Sequence, residues 1–251
     1  MKRRILTANN LNDFQKYLIL QEKSKATTKK YFRDAKVFAD FAGNEEIRKE
    51  IVIAYKEHLR ENHAVRSVNS MLASINSLFA FLGWFDLKIK ALKVQHQVFC
   101  SEEKELTKAE YARLCKAAQS NHNERLNLIL QTICATGIRV SELRFITVEA
   151  VKQSEATVSL KGKTRSIFIV KDLKKKLLRY AAKQNIKSGM IFVTRTSKPI
   201  NRTNIWREMK NLCKKANVNP QKVFPHNLRH LFARVSVSYT HLRAHETDQY
   251  L

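Results

Sequence analysis

The chain has 251 residues, 44% of them hydrophobic, with only 5 glycines and 3 prolines. That content excludes global disorder, and so few turn-formers predict a mostly helical protein. A formal net charge of +25, from 47 Lys+Arg against 22 Asp+Glu, opposes compaction and points to a polyanionic partner, nucleic acid ahead of a membrane surface. No apolar run approaches the about 18 residues needed to span a bilayer. Met1-Lys2-Arg3-Arg4 is followed by Thr7, Asn9, Asn10, Asn12 and Asp13, so no apolar signal core follows the basic start, and a cytoplasmic location is expected. Cys100, Cys115, Cys134 and Cys213 show no C-x-x-C spacing. They read as reduced structural thiols, with no metal site.

In chain order, Leu11 to Leu92 reads as a bundle of short helices. Leu11, Phe14, Tyr17 and Leu18 recur at helical spacing, as do Tyr31, Ala35, Phe38 and Phe41 up to Gly43. Ile51, Ala54, Tyr55 and Leu59 predict a third helix, and Val68, Leu72, Ile75, Phe79 and Leu82 a fourth, closed by Gly83. The opposite faces are one-signed: Lys25, Lys29, Lys30, Arg33 and Arg66 are among eleven basic positions that fit a DNA-facing surface. Residues 94–105 lose the periodicity and read as a linker. Thr107-Lys108-Ala109-Glu110 is a capping box that opens a second domain, and Leu126 to Cys134 is almost wholly apolar, the expected centre of that domain.

Gly137 breaks the apolar helix, and Val140, Leu143 and Ile146 predict a new one. Arg139 then falls in its first turn, where a cation opposes the helix dipole but where an anion is well received. Thr157 to Leu160 and Thr164 to Val170 flank Lys161-Gly162-Lys163, a hairpin signature with Lys161 at its tip and Lys163 and Arg165 beside it. Leu173 to Ala182 and Ile205 to Ala216 predict further helices, the latter capped near Asn201 or Thr203, with Met190 to Val193 a short strand between them. After Pro220 and Pro225, His226 and Arg229 stand three apart on one helical turn.

Two phrases carry the most chemistry: Ala135-Thr136-Gly137-Ile138-Arg139-Val140-Ser141-Glu142-Leu143, and His226-Asn227-Leu228-Arg229-His230. Two forked guanidiniums suit one phosphate. With the Lys-Gly hairpin between them, these phrases resemble the tyrosine site-specific recombinases, or phage-type integrases. The resemblance implies a mainly α (α+β) fold. A helical core-binding, SAM-like domain would cover 1–93. After the linker at 94–105, a mostly helical catalytic domain would cover 106–234, with a small β-hairpin or three-stranded sheet. It implies that Arg139 and Arg229 hold the scissile phosphate, that Lys161 protonates the departing 5′-oxygen, and that His226 assists proton transfer. Glu142 would brace the site and His230 would pack or orient. Lys25, Lys29, Arg33, Arg66, Lys163 and Arg165 would contact DNA. The partner implied is double-stranded DNA, held by a homotetramer, with no metal or other cofactor.

The family places a Leu-Gly-His-like phrase after a further helix, and its nucleophilic tyrosine some nine residues later. Residues 235–251 supply neither, and after Arg234 Leu242 is nearly alone as a mark of an apolar stripe. Tyr239 comes too early, and Tyr250 is the penultimate residue of the chain. The expectation is an atypical tail, foreign to the fold, and a chain that binds DNA without completing cleavage. A non-catalytic DNA-binding protein of the same fold, or a type IB topoisomerase, would use a similar clamp. The DNA sequence recognised and the direction of recombination are not legible.

Overall fold

The computed structural model describes residues 3–94, 104–160, 162–194 and 196–247, without the side chains of Leu160 and of 237–247. The chain divides into two compact units, Met1–Val98 and Phe99–Leu251.

The first unit holds four helices: α1 (Ala8–Leu20), α2 (Lys25–Ala42), α3 (Lys49–Asn62) and α4 (Val65–Phe81). Thr7 and Ser24 cap α1 and α2 through their hydroxyls, which satisfies backbone donors that a helix start otherwise leaves unpaired. The apolar stripes meet in one core. The Phe38 ring meets Tyr55 edge-on at 5.0 Å and Phe79 at 5.6 Å, with all three rings fully buried. Inside this core lies the buried carboxylate Asp34. It accepts from Lys30 Nζ (2.6 Å), Ser74 Oγ (2.8 Å) and Arg33 Nη2 (3.0 Å). Burial alone would raise its pKa, but the bonds from Lys30, Ser74 and Arg33 outweigh it and hold the group below the usual 3.8. Lys30, one of the basic positions of the sequence, is therefore turned inward, tied also to the Ser70 carbonyl. Lys25, Lys29 and Arg33 remain exposed at four-residue spacing along α2, and Arg66 is exposed in the first turn of α4. Asn69 and Asn76 of α4 each pair through both amide atoms with a backbone position on the departing segment, at Leu92 and Ile89, which fixes the path of that segment.

The second unit centres on α6 (Glu124–Thr136), buried on every side from Leu126 to Leu130. Packed against it are α5 (Lys108–Ser120), α8 (Lys171–Lys183), α9 (Arg202–Ala216) and α10 (Pro225–Thr247). The capping box forms as its residues predict: the Thr107 amide donates to Glu110 Oε2 at 2.8 Å, and the Glu110 amide to Thr107 Oγ1 at 3.1 Å. A short helix, α7 (Val148–Gln153), leads into β1 (Glu155–Leu160) and β2 (Lys163–Phe168), antiparallel with Val158 opposite Arg165. Of the two expected forms, hairpin or three-stranded sheet, the hairpin is the one found among the described residues. Met190 and Val193 form only single bridges, to Thr147 and Pro199, and a proline partner offers no amide to extend a ladder. Among the described residues the sheet has two strands. The backbone of α10 stays helical past Arg234 to Thr247, although the tail lacks an apolar stripe. No glycine or proline stands between 226 and 247 to break it. Cys115, Cys134 and Cys213 are free thiols, and Cys100 lies outside the described residues. Among the described residues no helix is long and apolar enough to cross a membrane.

Candidate phosphate site

Gly137 organises the site. It ends α6 in the left-handed region, at φ +61°, where only glycine sits without strain. A Cβ here would lie 2.5 Å from Cδ1 of Phe232, so the α10 ring packs directly on this backbone. One turn earlier on α10, Arg229 donates through Nη1 to the Gly137 carbonyl. Two groups of α10 thus dock on the residue that precedes Arg139 by two.

Arg139 follows in extended backbone, φ −78° and ψ 152°, and the next six residues, Val140–Phe145, form a 3₁₀ segment. The expected α-helical first turn at Arg139 is corrected. A six-residue 3₁₀ segment carries little macrodipole, so side chains, not a helix end, make the anion site. Glu142 of this segment is 1% exposed and accepts three donors. They are the Arg139 amide (2.9 Å), Arg139 Nη1 (2.8 Å) and Arg165 Nη2 (2.7 Å). One buried carboxylate thereby holds two guanidiniums that stay half exposed, at 53% and 41%. Burial pushes Glu142 upward, but the Arg139 amide and guanidinium and the charge of Arg165 overcome it and hold the carboxyl below the usual 4.5.

Arg139 borders a cavity of about 540 Å³ whose lining also includes Arg144, Arg202, His226 and Arg229. Burial, then the charges of Arg139 and Arg165, lower the pKa of Arg229, with Glu142 pulling the other way. Burial, followed by His230, Arg229, Arg139 and Arg202, depresses His226 below 6.5, so its imidazole is neutral at neutral pH. The His230 ring stands edge-on to His226 at 4.5 Å. Three guanidiniums, of Arg229, Arg139 and Arg202, thus act on His226, and Arg229 in turn feels Arg139, Arg165 and the Glu142 carboxylate. Such an excess of like charge is relieved by an anion.

The structure brings Arg139, Glu142, His226, Arg229 and His230 together, and adds Arg165, which the sequence suggested only as a hairpin DNA contact. Lys163 is exposed on β2, and Lys161 lies outside the described residues. Sequence reasoning missed Arg202 and Arg144. The signal for Arg202 was present: it directly follows Asn201, whose side chain caps α9 by accepting from the Asn204 amide at 2.8 Å. An unpaired cation in a helical first turn is the same clue that marked Arg139.

Comparison with known proteins decides the family. The sequence pattern described as "Phage integrase family" matches residues 104–237, and the pattern of the phage integrase N-terminal SAM-like domain matches residues 11–84. The chain belongs to the phage integrase family. Relatives include the tyrosine recombinase XerA of Pyrococcus horikoshii, 29% identical over 91% of this chain and 80% of that protein. The tyrosine recombinase XerD of Halalkalibacterium halodurans is 28% identical over 94% and 86%. Among solved structures, a lambda integrase tetramer bound to a Holliday junction superposes with a TM-score of 0.73 at 19% identity, covering 90% of this chain and 71% of that one. The Tn1549 transposon integrase bound to circular intermediate DNA gives 0.69 at 15%, covering 91% and 87%. The fold of this integrase-family chain, helical with a small antiparallel sheet, is the lambda integrase fold.

Proposed function

We propose that the chain holds a phosphodiester of duplex DNA in the Arg139–Arg229 cavity and that its chemistry is site-specific strand exchange by transesterification. The observation that carries this reading is the docking of α10 on Gly137, which sets Arg229 beside Arg139 and faces both, with His226, into one cavity. In that reaction a tyrosine oxygen attacks phosphorus and the 5′-oxygen departs. The tyrosine becomes esterified to the 3′-phosphate, and a second attack by a 5′-hydroxyl reverses the step. The two guanidiniums neutralise the charge that grows on the non-bridging oxygens. The neutral His226 accepts or returns a proton at the attacking oxygen, and Lys161 supplies one to the leaving oxygen. Exposed Lys25, Lys29, Arg33, Arg66 and Lys163 take further phosphates. The assembly is a homotetramer on two duplexes, supported by the tetrameric lambda integrase of the same fold.

The nucleophile is the separate element. Tyr239 follows Arg229 by ten residues within α10, so about 15 Å of helix axis separates their backbones. Tyr239 is thus earlier in the chain than the family's tyrosine falls. Tyr250 lies outside the described residues, and no Leu-Gly-His-like phrase precedes it. Neither tyrosine is therefore assigned as the nucleophile. A nicked suicide substrate, built from a duplex selected out of a random pool for tight binding, tests this. The expected result is a salt-sensitive complex that dissociates fully in denaturant. A covalent adduct surviving denaturant would overturn this reading of the two tyrosines, and mapping it would name the nucleophile.

A further inference from the structure

A second cationic groove lies away from the cavity. It runs between α6 and α8, has a volume of about 390 Å³, and includes Asn127, Gln131, Lys176, Arg179 and Lys183 in its lining. It shares no residue with the phosphate cavity, which takes none from α8. The apolar face of α8 is spent on the core through Leu173, Leu177, Tyr180 and Ala181, which leaves Lys176, Arg179 and Lys183 on the opposite side. Lys176 Nζ rests on Gln131 Oε1 at 2.8 Å, and Lys183 Nζ on Glu124 Oε2 at 2.8 Å. Arg179 is exposed and has no hydrogen bond or ion pair among the described residues. Beneath them Asn127 is 6% exposed. Its Oδ1 accepts from Gln131 at 3.0 Å, while its Nδ2 donates to no group among the described residues. A free guanidinium beside an ammonium held only by a neutral amide suits acceptor oxygens that carry charge.

We infer that this groove binds the phosphate backbone of a nucleic acid strand outside the Arg139–Arg229 cavity. The spacing favours a backbone over a single anion. Positions 176, 179 and 183 span about 10 Å of helix axis, and a DNA strand presents one phosphate about every 3.4 Å of its own axis. Three cations over that length meet a regular polyanion, whereas the carboxylates of a protein partner carry no such repeat. Glu124 partly neutralises Lys183, so Lys176 and Arg179 carry most of the attraction. The inference extends the DNA-binding reading above to a second contact, and two duplex contacts on one chain also accord with the net charge of +25.

The test measures duplex binding by the full chain across a salt series. Replacing all three cations (Lys176→Gln, Arg179→Gln, Lys183→Gln) is expected to flatten the log–log salt slope by about 2 to 3, near one per lost phosphate contact. Arg179→Lys should keep the slope. A control with equal charge loss at exposed positions of other helices, Lys108→Gln, Lys116→Gln and Lys214→Gln, should change it by less than about 1. Unfolding curves report whether each variant is folded. Equal slopes for the groove variant and the wild type overturn the groove, as does competition by poly-glutamate that is lost with the groove cations while DNA affinity is unchanged. If the wild-type chain does not bind duplex at all, the DNA-binding reading itself fails. A groove variant indistinguishable from a DNA-binding wild type sinks the groove alone.

Discussion

Gly137→Ala is expected to cost about 2–5 kcal/mol of stability in the second unit and to abolish tight DNA binding. Two effects add. A non-glycine residue in the left-handed region costs roughly 1–2 kcal/mol, and Gly137 sits at φ +61°. The new methyl also meets Phe232 at 2.5 Å and 2.7 Å, an overpacking that costs about 1–3 kcal/mol. Relief comes from the ring turning or from α10 shifting, and a shift carries Arg229 with it, because its bond to the Gly137 carbonyl and the Phe232 contact share one turn of helix. Binding should therefore fall more than stability predicts. Denaturant midpoints and DNA affinity, measured together, check this. Adding Phe232→Ala to Gly137→Ala should recover part of the loss. A Gly137→Ala protein with native stability and affinity would show that α10 is not seated as described.

Glu142→Gln should remove about 2–3 kcal/mol and loosen Arg139 and Arg165 together. The carboxylate is 1% exposed and takes three donors. An amide keeps the shape but presents an N–H where two guanidiniums need acceptors. Losing one partner of a buried ion pair costs about 3–5 kcal/mol, reduced here because both arginines are half exposed and regain water. The same loss follows from acid. Glu142 is held below 4.5, so its contribution is fully present above that value and disappears as pH falls through the folded pKa. Wild type and Glu142→Gln should thus differ in unfolding midpoint at pH 7, with the gap narrowing as pH falls below 4.5. A constant gap across that range would contradict a charged Glu142 as the brace.

Much of this architecture is legible in the residues, and the failures have physical causes. The helical stripes of the first unit appear where they should because each pairs an apolar face with a polar one. The two arginine phrases and the Thr107 capping box are local, so spacing alone reveals them. Val140, Leu143 and Ile146 mislead only because a strict spacing of three was read as an α-helix. A repeat of three is the period of a 3₁₀ segment, and an α-helix alternates three and four. Lys30 reads as a surface cation because Asp34 and Ser74, which draw it inward, are buried by tertiary packing that no local pattern reports. Arg165 and Glu142 are twenty-three residues apart, and only the hairpin brings them together. Lys161, central to the family's chemistry, lies outside the described residues, so its part rests on the resemblance.

Phosphate binding at this site requires Arg139 and Arg229 to grip the same phosphate. A double-mutant cycle on duplex affinity measures that directly, using Arg139→Ala, Arg229→Ala and the combined variant, each confirmed folded. If one phosphate is shared, the second substitution should add little to the first, with a coupling energy of about 1–3 kcal/mol. Strictly additive losses would mean that the two arginines serve separate contacts, and would contradict the site.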